Sequence, residues 1–231
     1  GEPLVTAKDM FSHRVSILTG HYGTGKTEVS VNLALALAAE GEQVMLADLD
    51  IVNPYFRSRE RRPLLEKAGV RVISSSQACS DADVPALPAE LLTILENREI
   101  RGILDIGGDP VGARVLARFQ PKIVQEDYQL IFVLNANRPE VRDAESAAAY
   151  LRSIEAVTGL TCSGLVNNTH LCGETTPAEI RKGVALAQEV SRQTGIPILC
   201  HTAERRFLES LSDLGEPVFP IAINMKKPWE R

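Results

Sequence analysis

Long hydrophobic runs are missing from this 231-residue chain. No segment approaches the roughly 18 uninterrupted apolar residues that a helix needs to cross a bilayer, so no membrane span is expected. The opening Gly1-Glu2-Pro3-Leu4 lacks the basic-then-apolar layout of a secretory leader. Cysteine is scarce and scattered: Cys79, Cys162, Cys172 and Cys200 include no C-x-x-C pair. That usage excludes a disulfide framework and fits a reduced, cytoplasmic setting. Positive charge is in short supply too, with 25 Lys and Arg against 30 Asp and Glu, a formal net charge of −5. Broad, sequence-independent binding of nucleic acid relies on phosphate neutralisation, so nucleic acid is not an expected partner. Internal repeats, low-complexity tracts and long linkers are all absent, and residues 1–231 read as a single domain.

What the chain does contain is a regular succession of short aliphatic runs. Val15–Leu18, Val44–Ala47, Val70–Ile73, Ile103–Ile106, Leu130–Leu134, Gly164–Val166 and Ile198–Cys200 each precede a polar or glycine-containing turn. Several are apolar on both alternating faces, as parallel strands covered on both sides are. Helical stretches lie between them, at Glu28–Ala39, Pro88–Asn97, Arg142–Thr158 and Pro177–Gly195, with a further helix containing Ala113–Phe119. The Pro177 helix is framed by Thr175-Thr176, a first-turn proline, Glu179, and the stop Gly195 before Pro197. Alternating strand and helix signals predict an α/β fold, a doubly wound, mostly parallel sheet in three layers.

The first strand runs into Gly20-His21-Tyr22-Gly23-Thr24-Gly25-Lys26-Thr27, which satisfies G-x-x-x-x-G-K-[ST], the phosphate-loop (Walker A) pattern. Gly20, Gly23, Thr24 and Gly25 allow backbone N–H groups to converge on phosphate oxygens, and the helix that follows, from Glu28, adds its positive dipole end. Lys26 is placed to reach the β- and γ-phosphates, and the Thr27 hydroxyl to hold Mg²⁺.

Open α/β sheets bind ligands at the carboxyl ends of their strands, so the residues after each strand come next. Asp48-Leu49-Asp50 follows the second strand, and two carboxylates two apart in an extended segment point the same way. Asp50 is the better candidate to orient a water against the γ-phosphate or to sense it through Mg²⁺; capping of a following helix is the plainer alternative. Asp105-Ile106-Gly107-Gly108 follows the fourth run. Asp105 matches a second Mg²⁺ contact, and Gly108 completes a D-x-x-G whose N–H can report the γ-phosphate. Asp109 reads equally well as a helix cap.

Together with Asn167 after a late strand and Pro139-Glu140-Val141-Arg142-Asp143-Ala144 after the fifth, these segments resemble the MinD/ParA/Mrp group of the CobQ/CobB/MinD/ParA nucleotide-binding superfamily. The similarity extends from about Val15 to Thr202. It implies a sheet of seven or eight strands, ATP and ADP as ligands with Asn167 on the adenine, and Mg²⁺ held through Thr27. It also implies a switch that couples ATP-dependent homodimerisation, hydrolysis and binding of a protein partner. One position departs from the pattern: His21 stands where MinD and ParA proteins carry a signature lysine, and a neutral imidazole cannot supply the same fixed charge. Arg57 or Arg59, in a basic cluster continued by Arg61 and Arg62, is a candidate replacement in cis or across a dimer; a solvated helix face is the plainer reading. The C-P-x-C cysteines of Mrp-type iron–sulfur carriers are absent. Ile223–Trp229 is too short and proline-broken for the amphipathic anchor of MinD, so no membrane attachment is expected.

His170, Cys172, Cys200 and His201 make a loose candidate Zn²⁺ set without knuckle spacing; a border to the base pocket is the alternative. The reading reached is a Mg²⁺-dependent ATPase switch in which Lys26, Asp50 and Asp48 act on the phosphoanhydride. Its competitors are a dethiobiotin synthetase- or cobyrinate synthase-like enzyme that uses ATP to activate a small carboxylate, and a small-molecule kinase.

Overall fold

A computed structural model describes residues 5–50, 61–74, 89–138, 143–169 and 175–222. In chain order the elements are α1 (Ala7–Met10), β1 (Val15–Thr19), α2 (Lys26–Ala39), β2 (Val44–Asp48), α3 (Arg62–Lys67), β3 (Arg71–Ser74), α4 (Ala89–Glu96) and β4 (Arg101–Asp105). They continue as α5 (Pro110–Ile123), β5 (Tyr128–Leu134), α6 (Ala144–Thr158), β6 (Cys162–Asn167), α7 (Pro177–Thr194), β7 (Ile198–Glu204) and β8 (Val218–Ile221). The eight strands form one sheet in the order β3-β2-β4-β1-β5-β6-β7-β8, and every pairing is parallel.

Each central strand is apolar on both faces because each face meets a helical layer. In β5, Leu130, Phe132 and Leu134 join the core under α4, α5, α6 and α7, while Ile131 and Val133 join the core under α1, α2 and α3. The same alternation divides Val44 and Leu46 from Met45 and Ala47 in β2. This is the three-layer α/β architecture expected, and side chains alternating across a pleated strand are its physical origin.

Local signals set several boundaries as read. Thr176 accepts from the Glu179 N–H at 3.3 Å, and Gly195 closes α7 in the left-handed conformation at φ 75°. Asp109 does cap α5, accepting from the N–H groups of Val111 and Gly112 at 2.9 and 3.0 Å. Asp143 caps α6 through Ser146, so that helix begins at Ala144 rather than Arg142.

Other boundaries moved. β4 ends at Asp105, and the Ile106 N–H makes the last bond of the β1–β4 ladder, donating to the Leu18 carbonyl at 3.0 Å. β6 and β7 are longer than their aliphatic centres, because ladder pairing recruits Cys162, Asn167 and residues 201–204. The α2 helix starts at Lys26, inside the phosphate-loop motif. Two elements lacked a sequence signal strong enough to find. The single turn of α1 is held by a Thr6–Asp9 capping box, and β8 contains Pro220, which only an edge strand tolerates.

Phe11, at the end of α1, packs that turn against β8: it is fully buried and meets Phe219 edge-on, ring centroids 5.8 Å apart. Phe11→Ala is expected to destabilise the fold by about 3–5 kcal/mol in urea unfolding, and Phe11→Leu by clearly less.

Candidate functional site

The turn between β1 and α2 lies where the sheet order reverses, with β1 flanked by β4 and β5. Successive crossovers leave in opposite directions at such a point, which opens a crevice at the strands' carboxyl ends. Gly25 there adopts a left-handed conformation at φ 79°, letting the chain enter α2 without a Cβ clash. Among the described residues the N–H groups of Gly23 and Gly25 have no protein acceptor, and the buried Thr24 hydroxyl has no hydrogen-bond partner. Unpaired donors gathered on one concave turn are suited to an anion.

Lys26 begins α2 and reaches back over the turn, with only 6% of its surface exposed. Its ammonium bonds Asp50 and lies 3.0 Å from Asp105 Oδ1. Burial works to lower the Lys26 pKa, but the charges of Asp105 and Asp50 outweigh it and hold it above the ordinary lysine value. The Thr27 hydroxyl donates to the other oxygen of Asp105 at 2.7 Å. Asp105 is fully buried at the end of β4, and its register partner on β2 is Asp48. Asp48 accepts the Asp50 N–H at 3.3 Å, while the Asp50 carboxylate bonds Lys26.

Gly108 approaches the loop from β4: its N–H donates to the Gly20 carbonyl at 3.2 Å, and its own carbonyl accepts from the Tyr150 hydroxyl at 2.6 Å. The Tyr150 ring lies flat on His21, centroids 3.5 Å apart and 19° between planes. Together with Lys26 and Asp50, these groups line a cavity of about 260 Å³.

Of the other expected residues, Glu28 is buried and faces Arg61 at 3.4 Å. Asn167 is not brought to the loop. Its amide is buried between His201 Nδ1 at 3.0 Å and Thr169 Oγ1 at 2.6 Å. Its neighbour Asn168, which sequence reasoning passed over, does reach the loop, donating to the Thr24 carbonyl at 2.8 Å and bonding Thr202 Oγ1 through its oxygen. Asn168 lies one residue past the end of β6, and no motif in the sequence marks it. Tyr150 had no motif to announce it. Arg57, Arg59, His170 and Cys172 lie outside the described residues. Cys200 is fully buried in the α2-side core and His201 bonds Asn167, so these neighbours point to opposite faces; burial pushes both the Cys200 and Cys162 thiols up, Cys162 to about 12. Among the described residues no group of three or more His, Cys, Asp or Glu is arranged to hold a metal alone, and no helix is long and apolar enough to cross a membrane.

The residues fit a magnesium–nucleotide pair nonetheless. The Thr27 hydroxyl with the Asp50 and Asp105 carboxylates supplies the hard oxygen donors Mg²⁺ takes, and this ion ordinarily completes its shell with water and phosphate.

Residues 10–58, from the end of α1 through the loop and both aspartates of β2's end, match the ParA family model described as a NUBPL iron-transfer P-loop NTPase. Along 94% of its length the chain aligns with the septum site-determining protein MinD of Helicobacter pylori, 24% identical over 87% of that protein. The chain is thus similar to MinD/ParA-type P-loop NTPases and carries their phosphate-loop motif. The chain is also 36% identical over 95 residues to the cytosolic Fe-S cluster assembly factor cfd1 of Emericella nidulans, a stretch covering 41% of this chain and only 26% of that relative. Among solved structures, a nucleotide-binding protein of Archaeoglobus fulgidus in complex with ADP superposes with a TM-score of 0.52 at 18% identity, over 91% of this chain and 92% of that one. At that identity the likeness is one of fold.

Burial raises the Glu28 pKa from 4.5 to about 7, against the opposing pull of Arg61. The folded carboxyl therefore holds its proton more tightly than the unfolded one. Its contribution to stability is full below about pH 4.5 and is lost as pH rises toward 7. Glu28→Gln is expected to remove this decline, read as a flatter pH dependence of the urea midpoint than in the wild type.

Proposed function

We propose that this chain is a Mg²⁺-dependent ATPase that acts as a nucleotide-controlled switch on a partner protein in the cytoplasm. The observation that carries the reading is the shared grip on Lys26 and Thr27: one loop lysine held by Asp50 and Asp105, one loop hydroxyl held by the same Asp105. These are the groups a phosphoryl-transfer site needs, drawn from three separate strand ends.

In this reading Thr27, Asp50 and Asp105 would hold Mg²⁺, which supplies Lewis-acid neutralisation of phosphate charge when bound. The loop amides, with Gly23 and Gly25 unpaired, bind and orient the polyphosphate. Lys26 exchanges its carboxylate partners for phosphate oxygens and offsets charge on the transferring group. Asp50, released from Lys26, turns to orient the attacking water. Gly108 gives up the Gly20 carbonyl to meet the γ-phosphate, and the Tyr150–Gly108 bond passes that movement to α5 and α6, where a partner or a second copy would sense it. His21 in place of the signature lysine leaves any homodimer without that cross-protomer charge.

Similarity to an Fe-S cluster assembly factor does not extend this proposal to cluster carriage. None of the four cysteines here is spaced as C-x-x-C, and Cys162 and Cys200 are buried core residues.

Lys26→Ala is expected to abolish ATP binding measured by calorimetry in magnesium buffer. Asp50→Ala should retain binding while phosphate release falls by about 10²-fold or more, the scale of losing a positioned group. Mass measurement of Asp50→Ala with and without Mg·ATP tests dimerisation. Normal turnover in Asp50→Ala overturns its assignment, and unchanged ATP affinity in Lys26→Ala overturns the function.

A further inference from the structure

Arg138, four residues past the end of β5, lies against the phosphate loop. Its Nε and Nη2 are each 3.4 Å from the Tyr22 carbonyl oxygen, and its guanidinium carbon is 5.8 Å from the centre of the Tyr22 ring. It also takes the space that a side chain on Gly23 would need: a Cβ there would stand 1.7 Å from Arg138 Nη2. No carboxylate among the described residues forms an ion pair with it. The guanidinium is thus a cation committed to the main chain of the loop, with no acidic partner.

The peptide it touches is the one joining Tyr22 to Gly23. A trans peptide sets its carbonyl and its N–H in opposite directions, and no described peptide bond is cis. Holding the Tyr22 carbonyl toward Arg138 therefore turns the Gly23 N–H away from the guanidinium, and Tyr22 itself lines the cavity that Lys26 and Asp50 line. Among the described residues that N–H has no protein acceptor. A cation on the carbonyl also polarises the peptide and makes its N–H a stronger donor. At φ +79° Gly23 sits in a conformation that side chains rarely adopt, so this peptide is a place where the loop can flip unless something outside pins it.

We propose that Arg138 is a positioning residue that locks the Tyr22–Gly23 peptide with its N–H facing the bound polyphosphate. This rests on the phosphate-loop reading above and adds to it a specific residue outside the motif.

The test is the affinity for Mg·ADP, by calorimetry, of Arg138→Ala, Arg138→Met and Arg138→Lys, with Tm recorded without nucleotide. Methionine keeps a long apolar stem over Gly23 and removes the charge; lysine keeps a charge but not the paired donors. Arg138→Met and Arg138→Ala should both bind roughly tenfold more weakly, the worth of one hydrogen bond to a charged group, with Arg138→Lys between them and the wild type. Tm should stay within a degree or so of wild type for all three. Arg138→Met binding within twofold of wild type overturns the proposal, whether Arg138→Ala is weak (a packing role) or not (no role). Lys26→Ala measured alongside separates the two readings: if it keeps full affinity for Mg·ADP, the phosphate loop itself has been misread; if it loses affinity while Arg138→Met does not, only the role of Arg138 fails.

Discussion

A single buried ammonium between two carboxylates organises this molecule. Taking a lysine out of water is costly unless its charge is answered nearby, and Lys26 is answered twice, by Asp50 and Asp105. The three charges sum to −1, so the cluster is satisfied only in part by its own members. It can accept a further cation, and its lysine can be drawn off by a stronger anion. Both are what a magnesium–polyphosphate ligand would do, and the same arrangement keeps the loop ordered before any ligand arrives.

The sheet makes this cluster possible. Lys26, Asp50 and Asp105 are 24 and 55 residues apart along the chain, and each follows or ends a different strand. Parallel pairing of β1 with β4 and of β4 with β2 sets Leu18 beside Asp105 and Asp105 beside Asp48, so every strand delivers its last residue to one rim. An antiparallel neighbour would send its carboxyl end to the far side. The apolar strands buried on both faces are therefore not only core; their uniform direction is what concentrates polar chemistry at one edge.

Around the loop stands a second circle of contacts from elements remote in sequence. Asn168 after β6 holds the Thr24 carbonyl, Tyr150 of α6 holds the Gly108 carbonyl and stacks on His21, and Arg138 holds the Tyr22 carbonyl. All three act on main-chain oxygens. That is the physical way to fix a glycine-rich turn, which has few side chains of its own to grip. Arg61 performs a related service for Glu28, tying α2 to the start of α3.

Much of this was legible from local pattern. The phosphate loop, its lysine and threonine, the strand-ending Asp105 and the caps of α5 and α7 are short-range features: their positions in the local structure follow from neighbours within a few residues. Strand centres were equally visible, since burial on both faces leaves an uninterrupted aliphatic run. The ends of β6 and β7, and all of β8 with its proline, were not, because ladder pairing with a neighbour and not local preference extends them. The bond from Asn168 to the Thr24 carbonyl, and the engagement of Tyr150, Arg138 and Arg61, required strands, helices and loops to be docked. By itself, then, the amino-acid order determined that a phosphate-binding turn sits between a buried strand and a helix in a parallel α/β sheet. Which distant side chains hold that turn in shape was decided only by tertiary structure, because those contacts join residues that no local spacing relates and only packing brings within bonding distance.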